Sequence, residues 1–129
     1  MKRNRVILVV DDDAQVLKML TRILELEGYN IITATNGRSA LALFDKHAPD
    51  LVLLDIMMPG IDGFEVLDLI RQCSEIPVVM LTAKREVPSL HRALTIGADD
   101  YIRKPFSIRE VVTRVKTKLR RAEQCGSLK

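Results

Sequence analysis

Five apolar runs, each followed by a helical pattern, constrain this 129-residue chain more than anything else in it. The runs are "RVILVV", "YNIITA", "DLVLLD", "PVVMLT" and a shorter one over residues 100–103. In the first intervening segment Val16, Leu17, Leu20, Ile23 and Leu24 share one helical face, and Gly28 supplies a natural C-terminal residue. Asn36 opens a second helix carrying Ala40, Leu41, Leu43 and Phe44, which closes before Pro49. Phe64, Val66, Leu67 and Ile70 mark a third. A weaker pattern runs from Glu86 to Ile96, with Pro88 confined to its first turn. The last helix begins at a capping box, Ser107 with Glu110 three residues on, and is expected to bury Ile108, Val111, Val112, Val115 and Leu119. Strands separated by helix-length crossovers pair in parallel, and continuously apolar strands require helices on both faces. The expected fold is therefore doubly wound α/β with a five-stranded parallel sheet.

Composition narrows the classes of function. An apolar fraction of 47% and a charged fraction of 29% are those of an ordinary soluble globular protein, and the length fits one domain. No apolar run approaches a membrane span, and "MKRNRVILVVDDDA" breaks into three aspartates too early for a signal peptide. Cys73 and Cys125 lack metal-like spacing and read as free thiols of a cytoplasmic protein. His47 and His91 stand alone on helical segments, facing solvent. Residues 103–129 hold nine Lys or Arg against two Glu, net +7, so the whole-chain +3 leaves the first 102 residues at net −4. The run "RVKTKLRR" reads as a solvated helix face. With few aromatics to stack bases, the chain by itself is not read as a nucleic-acid binder.

Chemistry concentrates at the strand ends. In open α/β sheets the ligand site lies beyond the carboxyl ends of the strands, where strand order reverses. Those ends carry Asp11 and Asp12 after the first run, Asp55 after the third, Thr82 after the fourth and Lys104 after the fifth. If the first and third strands are neighbours, three carboxylates converge beside a hydroxyl and an ammonium. Two carboxylates about 4 Å apart repel by roughly 4 kcal/mol at an effective dielectric near 20, so three call for a cation. Oxygen donors without His or Cys favour Mg²⁺, with Mn²⁺ able to substitute, over zinc. An Asp beside such an ion is a nucleophile suited to phosphorus, giving an acyl phosphate whose oxygens the metal, Thr82 and Lys104 could hold. Each group also has a plainer reading: Asp13 as a helix N-cap, Thr82 as a strand terminus, Lys104 as a surface lysine. The weight lies in the combination.

The motifs "ILVVDDD", "DLVLLDIMMPGIDG", "VVMLTA" and "GADDYIRKPF" make the chain resemble the receiver domain of bacterial two-component response regulators, from residue 5 to about 121. That resemblance implies a flavodoxin-like (βα)5 fold with strand order 2-1-3-4-5. It makes Asp55 the phosphoacceptor, Asp12 the principal Mg²⁺ ligand with Asp11 helping, and the Met57 carbonyl the remaining protein ligand. Thr82 would bond a phosphoryl oxygen, with Tyr101 swinging inward behind it, and Lys104 would pair with Asp55 or its phosphate. The peptide bond before Pro105 is typically cis in the family. Phosphorylation would shift the face formed by the fourth predicted helix, the fifth strand and the last helix. Met57 and Lys84 occupy the positions that govern hydrolysis, and neither orients water well, so slow self-dephosphorylation is expected.

The ending "GADDYIRKPFSIREVVTRVKTKLRR" is similar to OmpR/PhoB-like regulators, whose receivers precede a winged-helix DNA-binding domain and dimerise on phosphorylation. Carried over, Asp99, Asp100, Arg109, Glu110 and Arg114 would contribute to the two-fold interface. Ser89 and Thr95 stand where acidic residues are usual and Ala93 where Gly is usual, which removes a cross-subunit ion pair. Residues 1–122 would form the receiver, and 123–129 a tail or the start of a linker to an output domain the chain lacks. The partners implied are a sensor histidine kinase, a second copy of the chain, and DNA only through that output domain, with no membrane. Such a protein is not an enzyme beyond its own Mg²⁺-dependent phosphorylation and dephosphorylation. The competing reading is a haloacid-dehalogenase-like phosphohydrolase, with Asp11 of "VVDDDA" as nucleophile and Asp13 as acid or base. It leaves Asp55 without a role and places Asp99 and Asp100 before a strand instead of after one.

Overall fold

The computed structural model describes residues 4–83 and 97–127. Its elements are β1 (Val6–Val10), α1 (Ala14–Leu26), β2 (Asn30–Ala34), α2 (Gly37–His47), β3 (Leu51–Asp55), α3 (Gly63–Arg71), β4 (Val78–Ala83), β5 (Asp100–Lys104) and α4 (Ile108–Ser127). The strands form one parallel sheet in the order β2-β1-β3-β4-β5, as expected. The helix expected over Glu86–Ile96, with Pro88, His91 and the subfamily positions Ser89, Ala93 and Thr95, lies outside the described residues.

Local chemistry sets the helix limits. Asp13 caps α1 by accepting the Gln15 N–H at 2.9 Å, and Gly28 follows the helix at φ +96°. Asn36 caps α2 through the Ser39 N–H at 2.9 Å. That helix ends in a left-handed residue, Ala48 at φ 44°, before Pro49, which disfavours further helix. Asp62 caps α3 through the Glu65 N–H at 3.0 Å. The Ser107 hydroxyl accepts the Glu110 N–H at 3.0 Å, while the Glu110 carboxylate turns to Arg114 at 3.3 Å, away from the reciprocal half of the box.

Strand alternation divides the core into two layers. Leu8, Val10, Val52, Leu54, Val78 and Met80 pack with Phe64, Val66, Leu67 and Ile70 of α3 and Ala40 of α2. Ile7, Val9, Leu51, Leu53, Val79, Leu81 and Ile102 pack with Leu17, Leu20 and Leu24 of α1 and Val111, Val115 and Leu119 of α4. Every residue of β3 is buried, the signature of a central parallel strand covered on both sides. One core expectation fails: Ile108 is 60% exposed. It opens α4 only four residues after β5 ends, one turn ahead of Val111, the first α4 residue in the core. Val16 and Val112 sit half-buried at the margins. The α4 backbone stays helical to Ser127, over residues expected to form the tail.

Candidate functional site

Register brings the strand-end residues together. Val10 pairs with Leu54 across β1 and β3, so Asp11 and Asp55 follow at the same edge. Asp55 pairs with Leu81 and Ala83 with Lys104, which carries the constellation across β4 to β5. Asp11, Asp55 and Lys104 continue the side-chain parity of Ile7, Leu53 and Ile102, toward the α1 and α4 side. Thr82 and Tyr101 continue the opposite parity. Tyr101 lies across from Met80 and packs, half-buried, against the α2 and α3 layer.

Asp11 and Thr82 are fully buried, Asp55 is 4% exposed, and Asp12 faces solvent. One carboxylate oxygen from each of Asp11, Asp12 and Asp55 lies within 4.8 Å of the others. The Lys104 ammonium is 2.8 Å from Asp11 Oδ2 and 3.7 Å from Asp55 Oδ2. Asp11 Oδ1 accepts the Asp13 N–H at 2.9 Å, and Asp55 Oδ1 accepts the Met57 N–H at 3.3 Å. The peptide bond between Lys104 and Pro105 is cis, as the resemblance implied.

Burial and then the Asp11 charge push the Asp55 carboxyl up to about 7, against the opposing pull of Lys104 and the Met57 N–H. Burial also disfavours the Lys104 ammonium, but its bond to Asp11 and the charges of Asp55, Asp11 and Asp12 outweigh this and hold it above its ordinary value. Among the described residues, these three acids thus have one lysine beside them. A further cation is the natural complement, and an all-oxygen donor set of this kind fits a hard divalent ion such as Mg²⁺.

One residue that shapes this region, and one at the opposite end of the strands, were not singled out from the sequence. A Cβ on Gly63 would fall 2.3 Å from the Asp55 carbonyl oxygen, while the Gly63 N–H bonds the Ile56 carbonyl at 3.0 Å. The start of α3 therefore presses on the backbone of the acid-bearing strand. The available signal was a glycine directly after the capping Asp62, where a helix start alone does not require one. The second is Arg71, whose guanidinium binds Asp99 Oδ2 at 2.6 Å.

The residues expected at a subunit interface divide into two groups. Asp100 binds Arg114 at 2.7 Å and lies 3.7 Å from Lys118, and Glu110 pairs with Arg114. With exposed Arg109 they line an open groove of about 500 Å³ beside β5 and α4. Asp99 points elsewhere, to Arg71. Met57 holds its side chain 60% exposed beside the acidic cluster, and Lys84 lies outside the described residues.

Comparison with known proteins agrees with this geometry. The sequence matches the response regulator receiver domain family over residues 7–116. It is 48% identical over 118 residues to the probable transcriptional regulator ycf27 of Porphyra purpurea, covering 92% of this chain and 49% of that protein. It is 47% identical over 118 residues to the regulatory protein VanRc of Enterococcus gallinarum, covering 92% of this chain and 51% of that one. The chain thus spans about half the length of the curated relatives it matches. Among solved structures, the receiver domain of NtrX from Brucella abortus superposes with a TM-score of 0.84 at 38% identity, over 88% of this chain and 98% of that one. A CheY-like receiver domain protein from Methanospirillum hungatei gives 0.90 at 32% identity, over 95% and 98%.

The phosphohydrolase alternative finds no support. Its proposed nucleophile, Asp11, is buried and bonded to Lys104, and its proposed acid, Asp13, caps α1. Asp99 and Asp100 sit at the start of β5, away from the cluster at the other end of the strands. Sequence and fold agree over the same stretch, and the chain belongs to the response regulator receiver domain family.

Proposed function

We propose that the chain is a phosphorylation-activated switch of a two-component system, with Asp55 accepting a phosphoryl group from a sensor histidine kinase or a small phosphodonor. The observation that carries this reading is the buried Asp55 carboxylate at the end of the central strand, grouped with Asp11 and Asp12 and 3.7 Å from Lys104. An Asp55 oxygen attacks the donor phosphorus, a P–O bond forms, and the donor's bond to phosphorus breaks, its leaving atom taking a proton. Asp11, Asp12, Asp55 and the Met57 carbonyl would hold Mg²⁺, with Mn²⁺ as a substitute. When bound, that ion offsets the repulsion between the carboxylates and the phosphoryl oxygens. Lys104 then pairs with the phosphoryl group, and the Thr82 hydroxyl donates a hydrogen bond to it, with Tyr101 following inward. The chain catalyses only its own phosphorylation and dephosphorylation. Met57 offers a thioether where hydrolysis needs a group that orients water, so the phosphoryl group persists well beyond seconds.

The output is a shifted face on β5 and α4 that controls pairing with a second copy, through Asp100, Arg109, Glu110 and Arg114, with Asp99 carried over from the same OmpR/PhoB-like pattern. Residues 1–122 serve as receiver and 123–129 lead toward a DNA-binding output domain, in a cytoplasmic regulator. What supports this is that relatives about twice as long are named as regulators, one of them of transcription.

The test is intact-protein mass after incubation with acetyl phosphate and Mg²⁺, beside Asp55→Asn and Asp11→Asn. One Mg²⁺-dependent phosphoryl adduct, lost in Asp55→Asn, is expected. An adduct that persists in Asp55→Asn would overturn the assignment.

A further inference from the structure

Residues 56–62 join the acid-bearing strand to α3 and carry the Met57 carbonyl. This loop is closed on itself and anchored from several sides. The Ile56 N–H bonds the Leu81 carbonyl at 3.0 Å, and the Ile56 carbonyl accepts the Gly63 N–H at 3.0 Å. Ile56 and Met58 are buried, and Ile61 packs half-buried on the layer that holds α2 and α3. Met57 thus lies between two buried anchors, with its own N–H on Asp55 Oδ1 at 3.3 Å. Two helices start against the loop without a side chain. A Cβ on Gly63, the first residue of α3, would fall 2.3 Å from the Asp55 carbonyl oxygen and 2.8 Å from Ile56 Cα. A Cβ on Gly37, the buried first residue of α2, would fall 2.8 Å from the Ile61 carbonyl oxygen, 2.9 Å from Val66 Cγ2 and 3.0 Å from Ile61 Cβ. Neither glycine has a positive φ, so each position demands the missing Cβ and not a special backbone.

What Gly37 touches decides what it does. Its approach to Val66 is helix-on-helix packing and bears on stability alone. The Ile61 carbonyl is backbone of the loop, so an atom added at Gly37 must displace either the loop or α2. Ala40, one turn further along α2, is fixed in the core, whereas the outer turn of the loop, Pro59 and Gly60, faces solvent. The loop is therefore the part that yields. We propose that Gly37 is a positioning residue for the divalent-cation site: by letting the start of α2 seat against Ile61, it holds the loop where the Met57 carbonyl joins the carboxylates of Asp11, Asp12 and Asp55. Mg²⁺ requires short bonds in near-octahedral array, whereas Ca²⁺ accepts longer bonds and irregular shells. A small shift of the loop harms Mg²⁺ binding more than Ca²⁺ binding, so Gly37 supports selectivity as well as affinity. This role rests on the cation site proposed above, with the Met57 carbonyl as one of its ligands.

Amide NMR titrations of the unphosphorylated protein with Mg²⁺ and with Ca²⁺, at fixed ionic strength, read affinity from folded molecules only. Gly37→Ala is expected to weaken Mg²⁺ binding about tenfold and Ca²⁺ binding by less than about threefold. Ile61→Ala releases the same loop without adding an atom. It should weaken Mg²⁺ binding in the same sense, and it serves if Gly37→Ala does not fold. Gly28→Ala controls for lost stability alone. Its φ of +96° strains any side chain, nothing lies within 4 Å of the added Cβ, and it sits at the opposite end of the strands, so Mg²⁺ affinity should not change. Unchanged Mg²⁺ affinity in Gly37→Ala and Ile61→Ala, or equal losses for the two cations, would overturn the positioning role. Asp12→Asn separates that failure from failure of the cation site. If Asp12→Asn weakens Mg²⁺ binding, the site stands whatever Gly37 does. If the parent chain binds no Mg²⁺, or Asp12→Asn binds it equally well, the site and the role built on it fall together.

Discussion

Lys104 Nζ sits 2.8 Å from Asp11 Oδ2, nearly an ångström closer than it comes to Asp55 at 3.7 Å. The lysine is therefore bonded to Asp11 of the acidic cluster, and its pairing with the proposed phosphoacceptor is the longer contact. Asp11 is the most buried of the three carboxylates, so it gains most from a direct charged hydrogen bond.

That arrangement makes Lys104 a stability element as well as a site residue. Lys104→Met is expected to destabilise the metal-free protein at pH 8 by about 2 kcal/mol, below the range for fully buried pairs because the lysine keeps 27% exposure. Adding Asp11→Asn should recover part of the loss, since the most buried of the three carboxylates is then neutral while Asp55 still lacks the lysine. Urea unfolding of the two single variants and the double variant checks both expectations.

The raised Asp55 carboxyl gives stability a definite pH dependence. Its ordinary value is 3.8 and its folded value about 7. Between these limits the folded state retains a proton that the unfolded state has released. The contribution is therefore full below about 3.8 and is lost as pH rises through about 7. Metal-free protein should weaken by about 1–3 kcal/mol across that window, and Asp55→Asn should flatten the slope. Thermal melts of both proteins between pH 5 and pH 8 measure it, and equal slopes would count against the raised value.

A divalent cation should reverse this trend. Mg²⁺ at ten times its dissociation constant is expected to stabilise the protein by about 1.4 kcal/mol. The gain should be larger at pH 8 than at pH 6, because binding requires the ionised carboxylate. Asp55→Asn and Asp12→Asn should each reduce it. Melting curves at fixed ionic strength, with Ca²⁺ and a monovalent salt as controls, separate specific binding from screening.

Gly63→Ala should be among the most damaging single-methyl additions in the chain. The new Cβ would lie 2.3 Å from the Asp55 carbonyl oxygen, which is backbone of a fully buried strand and cannot move aside cheaply. A loss of about 3 kcal/mol is expected from overpacking of this kind. Gly60→Ala, with open space around the same site, should cost less and through φ +79° alone. Denaturant midpoints of the two variants distinguish steric from conformational cost.

Much of this protein was decided by its sequence alone. Continuous apolar runs of strand length and amphipathic helices of period 3.6 specify a parallel sheet covered on both faces. The capping residues Asp13, Asn36 and Ser107 act where the local pattern placed them, because a cap is satisfied by N–H groups two or three residues away. Acids, hydroxyl and lysine at the strand ends likewise converge once the strands align. What the tertiary structure alone decided is which of these charges meet. Lys104 and Asp11 are 93 positions apart, and Arg71 and Asp99 are 28 apart. No local period encodes such pairs, since they depend on register between strands and on which side chain reaches which oxygen. The same reason explains Ile108, whose apolar character predicted burial but which stands in solvent at the first position of α4. Hydrophobic period is a property of a segment, whereas partner choice and depth of burial belong to the assembled sheet and its helices.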